Sequence, residues 1–103
     1  MKYPPKLDRL MQRIFDAVDR GEYVVSNHAY ERATDRQVPI PHAEYVLRHG
    51  FHEKKKDQFK AEYQAWRYAI RGKAPDHVNV RIVVAFADDG LMIVTVINLD
   101  RKD

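Results

Sequence analysis

His28, Arg32 and Arg36 recur every fourth residue within Ser26-Asn27-His28-Ala29-Tyr30-Glu31-Arg32-Ala33-Thr34-Asp35-Arg36. On an α-helix this spacing puts one imidazole and two guanidinium groups on a single, slowly drifting face. Cations so spaced repel one another on an isolated helix, and an anionic counterpart is expected. Ser26-Asn27 is a good N-cap pair, which places His28 in the first turn, where the helix dipole disfavours a charged imidazole. A neutral imidazole beside fixed guanidinium groups suits phosphate chemistry. Metal-free RNA cleavage needs a base for the 2′-hydroxyl proton, cations for the charged phosphorane and an acid for the leaving 5′-oxygen. His28 fits the base or the acid, and Arg32 and Arg36 fit the cations. A solvated face on which Glu31 and Asp35 pair with the arginines explains the same spacing without chemistry.

Arg67, Arg71 and Arg81 are further candidate cations for a bound substrate. Tyr68, or its neighbour Trp66, is a candidate platform for an unpaired base, a stack worth about 1–3 kcal/mol. Thr95 is a candidate substrate contact. Each has a plainer use: core packing for the rings, solvent for the arginines, a backbone hydrogen bond for the threonine. From Arg48 to Lys73 there are eight basic residues against three acidic ones, interleaved with Phe59, Tyr63, Trp66 and Tyr68. That mixture suits a polyanion, and it equally suits an edge strand kept soluble by lysines. The five histidines show no ligand spacing with one another or with carboxylates, so no metal and no cofactor is expected. No glycine-rich phosphate loop is present, and the single serine, Ser26, is better used as a cap than as a nucleophile.

The elements that must position these residues are legible in order. Leu7, Leu10, Met11, Ile14, Phe15 and Val18 give a helix with one apolar stripe, preceded by Pro4-Pro5 and stopped by Gly21. Tyr23-Val24-Val25 is an extended link into the His28 helix. Pro39 and Pro41 break that helix, and Pro41 is placed to open a third, running through His49 to Gly50. Phe51 to Lys56 reads as an edge strand, and Asp57 to Tyr63 as a loop or hairpin turn. Trp66, Tyr68 and Ile70 alternate with Arg67, Ala69 and Arg71 as a strand with one apolar side. Gly72 to Asp76 is a turn. Val80–Ala87 and Leu91–Leu99 are β-branched runs joined by Asp88-Asp89-Gly90, a hairpin whose strands are apolar on both faces and therefore central. Together these predict one α+β domain over residues 1–103, with helices packed on a three- to four-stranded antiparallel sheet.

Composition sets the class. The chain has 103 residues, 45% apolar and 32% charged, a net charge of +3 and no cysteine. This fits a globular domain without disulfides or thiolate metal sites. Its N-terminus lacks the apolar segment of a signal peptide, and no apolar run is long enough for a bilayer; a cytoplasmic protein without membrane contact is expected.

The order S-x-H-A-x-x-R-x-x-x-R, a proline-marked turn, V-L-x-x-G and a late I-V-T-V strand resembles the bacterial domain of unknown function 4258 family. Here the matching residues are Ser26, His28, Ala29, Arg32, Arg36, Val46, Leu47, Gly50 and Ile93 to Val96. The family is similar to the barnase, colicin and RelE-like group of ribonuclease folds and to MqsR-type messenger-RNA-cleaving toxins. The resemblance implies a RelE/barnase-like arrangement of helices followed by a four-stranded antiparallel sheet. It also implies RNA as substrate and an antitoxin protein as partner. Only His28, Arg32 and Arg36 lie in the shared motif. A non-catalytic RNA- or protein-binding module is the alternative.

Overall fold

Leu10–Asp19 forms the first helix, α1, and buries Leu10, Ile14 and Val18, the centre of the predicted apolar stripe. It begins later than the period suggests, because Arg9 is left-handed at φ 51°. Leu7 lies before it, in an extended strap. The Trp66 indole N–H donates to the Pro4 carbonyl at 2.8 Å, and the Leu7 N–H donates to the Tyr68 hydroxyl at 2.9 Å. Gly21, at φ 67°, closes the helix: its N–H reaches the Val18 carbonyl and the Glu22 N–H reaches that of Ala17. This computed structural model describes residues 3–87 and 90–101. The Asp88-Asp89 part of the predicted hairpin turn and the terminal Lys102-Asp103 charges lie outside the described residues.

After β1 (Tyr23–Val25) comes α2 (Asn27–Asp35). Ser26 is its N-cap, accepting from the Ala29 N–H at 3.0 Å and donating its own hydroxyl to the Val94 carbonyl at 3.1 Å. The small faces of Ala29 and Ala33 let α2 sit close against the sheet. Its end repeats the α1 closure: the Gln37 N–H bonds to Thr34 O and the Val38 N–H to Ala33 O. Gln37 takes the glycine position at φ 57°. A left-handed conformation costs a side chain roughly 1–2 kcal/mol. Gln37→Gly is therefore expected to stabilise the fold by about 1 kcal/mol, after glycine's larger unfolded-state entropy is set against the relief. Chemical denaturation of the two proteins measures it.

The third helix, α3 (Ile40–His49), has Pro39 as its N-cap and starts one residue before Pro41, the predicted first residue, which lies in its first turn. Gly50 does end it, though not as a left-handed stop, since its φ is −81°. A Cβ there would lie 2.5 Å from the Arg71 carbonyl oxygen and 2.6 Å from that of Val46. Glycine is needed for close approach between the helix end and the sheet.

Among the described residues the sheet has six strands rather than three or four: β1, β2 (Phe51–His52), β3 (Gln58–Lys60), β4 (Ala65–Lys73), β5 (Asn79–Ala87) and β6 (Gly90–Asn98). The order is β1-β6-β5-β4-β2, with β3 also paired to β4. β1 runs parallel to β6, so the sheet is mixed. The predicted edge strand over 51–56 is only β2, followed by a 3-10 turn at Lys54–Lys56. The predicted loop over 57–63 contains β3 and a second 3-10 turn, Ala61–Tyr63. The turn predicted from Gly72 starts later, since β4 continues to Lys73.

On one sheet face Ile70, Val80, Ile82, Val84, Ile93 and Val96 are fully buried and join the buried residues of all three helices in one core. The opposite face carries Arg67, Arg71, Arg81, Val83 and Thr95, all half-buried. Among the described residues no helix is long and apolar enough to cross a membrane.

Candidate functional site

The functional face follows from strand alternation. Val80, Ile82 and Val84 point into the core, so Arg81 and Val83 point out of it. Registers Arg71↔Arg81↔Ile97 and Ala69↔Val83↔Thr95 extend the outward rows across three strands. Between the Val83↔Thr95 and Val84↔Ile93 pairs, Val94 is the extra residue of a bulge. Valines 83 and 94 and Ile97 form a floor. The outward apolarity of the two central strands thus serves a groove rather than a second packed layer.

Two walls rise from this floor. α2 lies against β6 beyond the end of β1, where the β6 edge has no strand partner, and its exposed first turn brings His28 to the rim. The 3-10 turn and β3 bring Lys56, Gln58 and Lys60 to the other side. The enclosed space is about 300 Å³ and is lined by His28, Lys56, Lys60, Arg67, Arg81 and Thr95. Among the described residues no carboxylate lines it. The Thr95 hydroxyl makes no hydrogen bond among the described residues and is not held by the backbone.

Four residues singled out from sequence therefore meet here: His28, Arg67, Arg81 and Thr95. The others lie elsewhere. Arg36 caps the C-terminus of α2, and its Nη1 donates to the Val96 carbonyl at 2.6 Å, satisfying the bare β6 edge. Arg32 is exposed, one turn along the flank from His28, with no hydrogen bond or ion pair among the described residues. Tyr68 is only 2% exposed and sits in the core, so the stacking role predicted for its ring is corrected: no base can reach it. Trp66 is also covered, by the rings of Tyr3 and Phe59 and by Lys6, whose ammonium lies 4.8 Å from its centroid.

Arg71 and Arg81 converge on Glu53, which sequence reasoning counted only as a charge. Arg81 donates from Nε to Oε1 at 2.6 Å and from Nη2 to Oε2 at 3.1 Å. Arg71 adds a contact to Oε2 at 3.3 Å. This two-pronged grip fixes the Arg81 guanidinium under the groove and explains a lone arginine inside an apolar strand. The Arg81 hydrogen bonds, then its charge and the Arg71 contacts, outweigh burial and hold the Glu53 carboxyl below the ordinary glutamate range. The folded state thus binds this proton less readily than the unfolded one. The resulting stability is present above about pH 4.3, the ordinary glutamate value, and is lost as pH falls through the depressed one. Glu53→Gln is expected to lower the thermal midpoint at pH 7 and to make its decline in acid shallower. Melting curves from pH 7 down to pH 3 test both parts.

The second missed carboxylate is Asp57. Its side chain is 1% exposed and lies 2.7 Å from His52 Nε2 and 3.0 Å from Lys6 Nζ. It also accepts the Ala69 N–H at 2.9 Å. The Tyr23 hydroxyl, bonded to Glu44, ties β1 to α3, and burial together with that carboxylate pushes it up to about 12. His42 lies 3.8 Å from Asp76, and the His49 ring rests 4.4 Å from that of Tyr45. Among the described residues no three His, Asp or Glu side chains gather as a metal site would need.

The result is an α+β domain whose open sheet face carries a basic groove with one imidazole at its rim. The chain matches the family described as Domain of unknown function (DUF4258) over residues 25–98, and it belongs to that family. The matched span includes both walls and the floor of the groove and leaves out α1. No curated protein and no solved structure matches the chain.

Proposed function

We propose that this chain is a metal-independent endoribonuclease of the RelE/MqsR-like toxin type, acting on single-stranded RNA in the cytoplasm. One observation carries the reading: the His28 imidazole stands at the rim of a groove whose lining, among the described residues, bears cations and no carboxylate. The RNA backbone runs between His28 and the Lys56–Lys60 wall. Neutral His28 takes the 2′-hydroxyl proton, O2′ attacks phosphorus, and the O5′ bond breaks to leave a 2′,3′-cyclic phosphate and a 5′-hydroxyl. Arg67 bears on the phosphorane charge, and a rim lysine supplies the proton that O5′ takes up. Arg81, held by Glu53, is a fixed charge beneath the phosphate. The likeness to RelE and barnase folds belongs to this proposal, as does an antitoxin partner that would cover the groove.

Single-stranded RNA incubated with the protein in EDTA should give fragments ending in cyclic phosphate. His28→Ala should slow this by about 10²- to 10⁴-fold while leaving the melting temperature unchanged, since the side chain is exposed. RNA that stays intact with the unaltered protein overturns the cleavage. A binding module without cleavage is favoured by one observation, that among the described residues the groove lining holds a single imidazole and no carboxylate to act beside it. On that reading RNA binds and His28→Ala changes little.

A further inference from the structure

The groove does not end at Arg67. Beyond it lies a larger hollow, about 580 Å³, lined among others by Tyr63, Phe86, Met92, Ala85, Lys60 and Arg67. It shares Lys60, Arg67 and Val94 with the His28 groove, so the two form one channel along the open face. The chemistry changes along that channel. Around His28 the walls are cationic, whereas in the hollow the floor is alanine and methionine. Tyr63 stands at its rim with 67% of its surface exposed, and the Arg67 guanidinium lies 5.4 Å from its ring centroid. By strand alternation Phe86 lies on the core side of β5, half-buried against the core, while Ala85 and Met92 pair on the open side and give the hollow its floor.

A flat apolar floor, an exposed ring with a guanidinium over it and a neighbouring cationic groove match the two halves of a nucleotide: a base and its phosphate. We propose that this hollow is a base-binding subsite, in which Tyr63 and Arg67 hold the unpaired base next to the phosphate that lies by His28. The inference rests on the RNA-binding reading of the groove and assigns the stacking role to Tyr63 in place of the buried Tyr68. Arg67 has two tasks, one face against the tyrosine ring and its charge toward the phosphate. Lys60 bridges the two cavities and tracks the backbone between them. Among the described residues the lining of the hollow holds no carboxylate, so nothing there repels the adjoining phosphate.

Nuclear magnetic resonance titrations of the full chain with adenosine monophosphate and with ribose 5-phosphate test it. Adenosine monophosphate should shift the resonances of Tyr63, Ala85 and Met92, and the sugar phosphate should leave those three unmoved. Tyr63→Leu, which keeps an apolar side chain but removes the flat ring, should weaken nucleotide binding by about 5- to 150-fold, the range one base–aromatic stack supplies. Its amide spectrum should otherwise match the original, because the ring is exposed. Equal responses to the two ligands, or undiminished binding by Tyr63→Leu, overturns the subsite. Shifts at Tyr63 and Met92 in a protein that leaves RNA intact would uphold the subsite and remove only the cleavage.

Discussion

Asp57→Ala is expected to lower stability by about 3–5 kcal/mol, the cost of removing one partner from a buried charge network. The carboxylate is almost wholly shielded and serves three donors: the Ala69 N–H at 2.9 Å, His52 Nε2 at 2.7 Å and Lys6 Nζ at 3.0 Å. Its role follows from the interrupted edge of the sheet. β2 pairs with Ile70 and Arg71, and β3 pairs with Ala65 to Arg67. Between them the chain leaves the sheet for a 3-10 turn, and the Ala69 N–H is without the strand partner it would otherwise have. Asp57 Oδ1 replaces that partner. Alanine leaves the amide unsatisfied, which alone costs roughly 1–3 kcal/mol, and strands His52 and Lys6 as well. Asp57→Asn keeps an acceptor for Ala69 but removes the charge, so its destabilisation should be intermediate. Urea denaturation orders the three proteins. Because Lys56, Gln58 and Lys60 lie within three residues of Asp57, the alanine variant should also lose its nuclear magnetic resonance protection at this wall of the groove first. A midpoint equal to that of the unaltered protein would show that the wall is anchored elsewhere.

That wall is also where sequence reading stops short. Long elements declare themselves by period, as the apolar stripe of α1 and the β-branched runs of β5 and β6 do. β2 and β3 have two and three residues, too short for any period, and they are held by two adjoining acidic side chains whose partners lie on β4 and β5. Glu53 and Asp57 read as ordinary surface charges until β4 and β5 are placed beside them. Likewise nothing in Tyr23-Val24-Val25 shows that its partner is β6 or that the pairing is parallel. Arg81 and Thr95 were legible as candidates because each is a polar break in an apolar run, and polar breaks on a central strand need a reason; both line the groove. Arg36 was legible as part of a helical flank but not by what it meets. Helical spacing gives the side of a helix, while the bare Val96 carbonyl comes from a strand sixty residues later. Tyr68 shows the same limit: the alternation Trp66, Tyr68, Ile70 marks one side of β4, and only the helices decide that this side is the core.

The two arginine positions therefore separate in experiment. Lys56, Lys60 and Arg67 replaced together by alanine should reduce the slope of log affinity for single-stranded RNA against log salt by about 2, at roughly 0.7 for each phosphate that is no longer neutralised. Over a fourfold rise in salt that amounts to about a twentyfold difference in how far binding falls. The weakening should appear for every RNA sequence, because lysine and arginine bonds to phosphate carry no base preference. Arg36→Ala should leave the slope unchanged and lower stability instead. Its guanidinium satisfies the Val96 carbonyl, and a partly buried acceptor left without its donor costs roughly 1–3 kcal/mol. Fluorescence anisotropy at several salt concentrations, paired with a denaturation curve for each variant, reads both quantities. A slope that falls with Arg36 and holds with the triple variant would move the polyanion path from the sheet face to the α2 flank. The groove would then be a structural hollow, and the imidazole would act, if at all, on a phosphate reached along the helix.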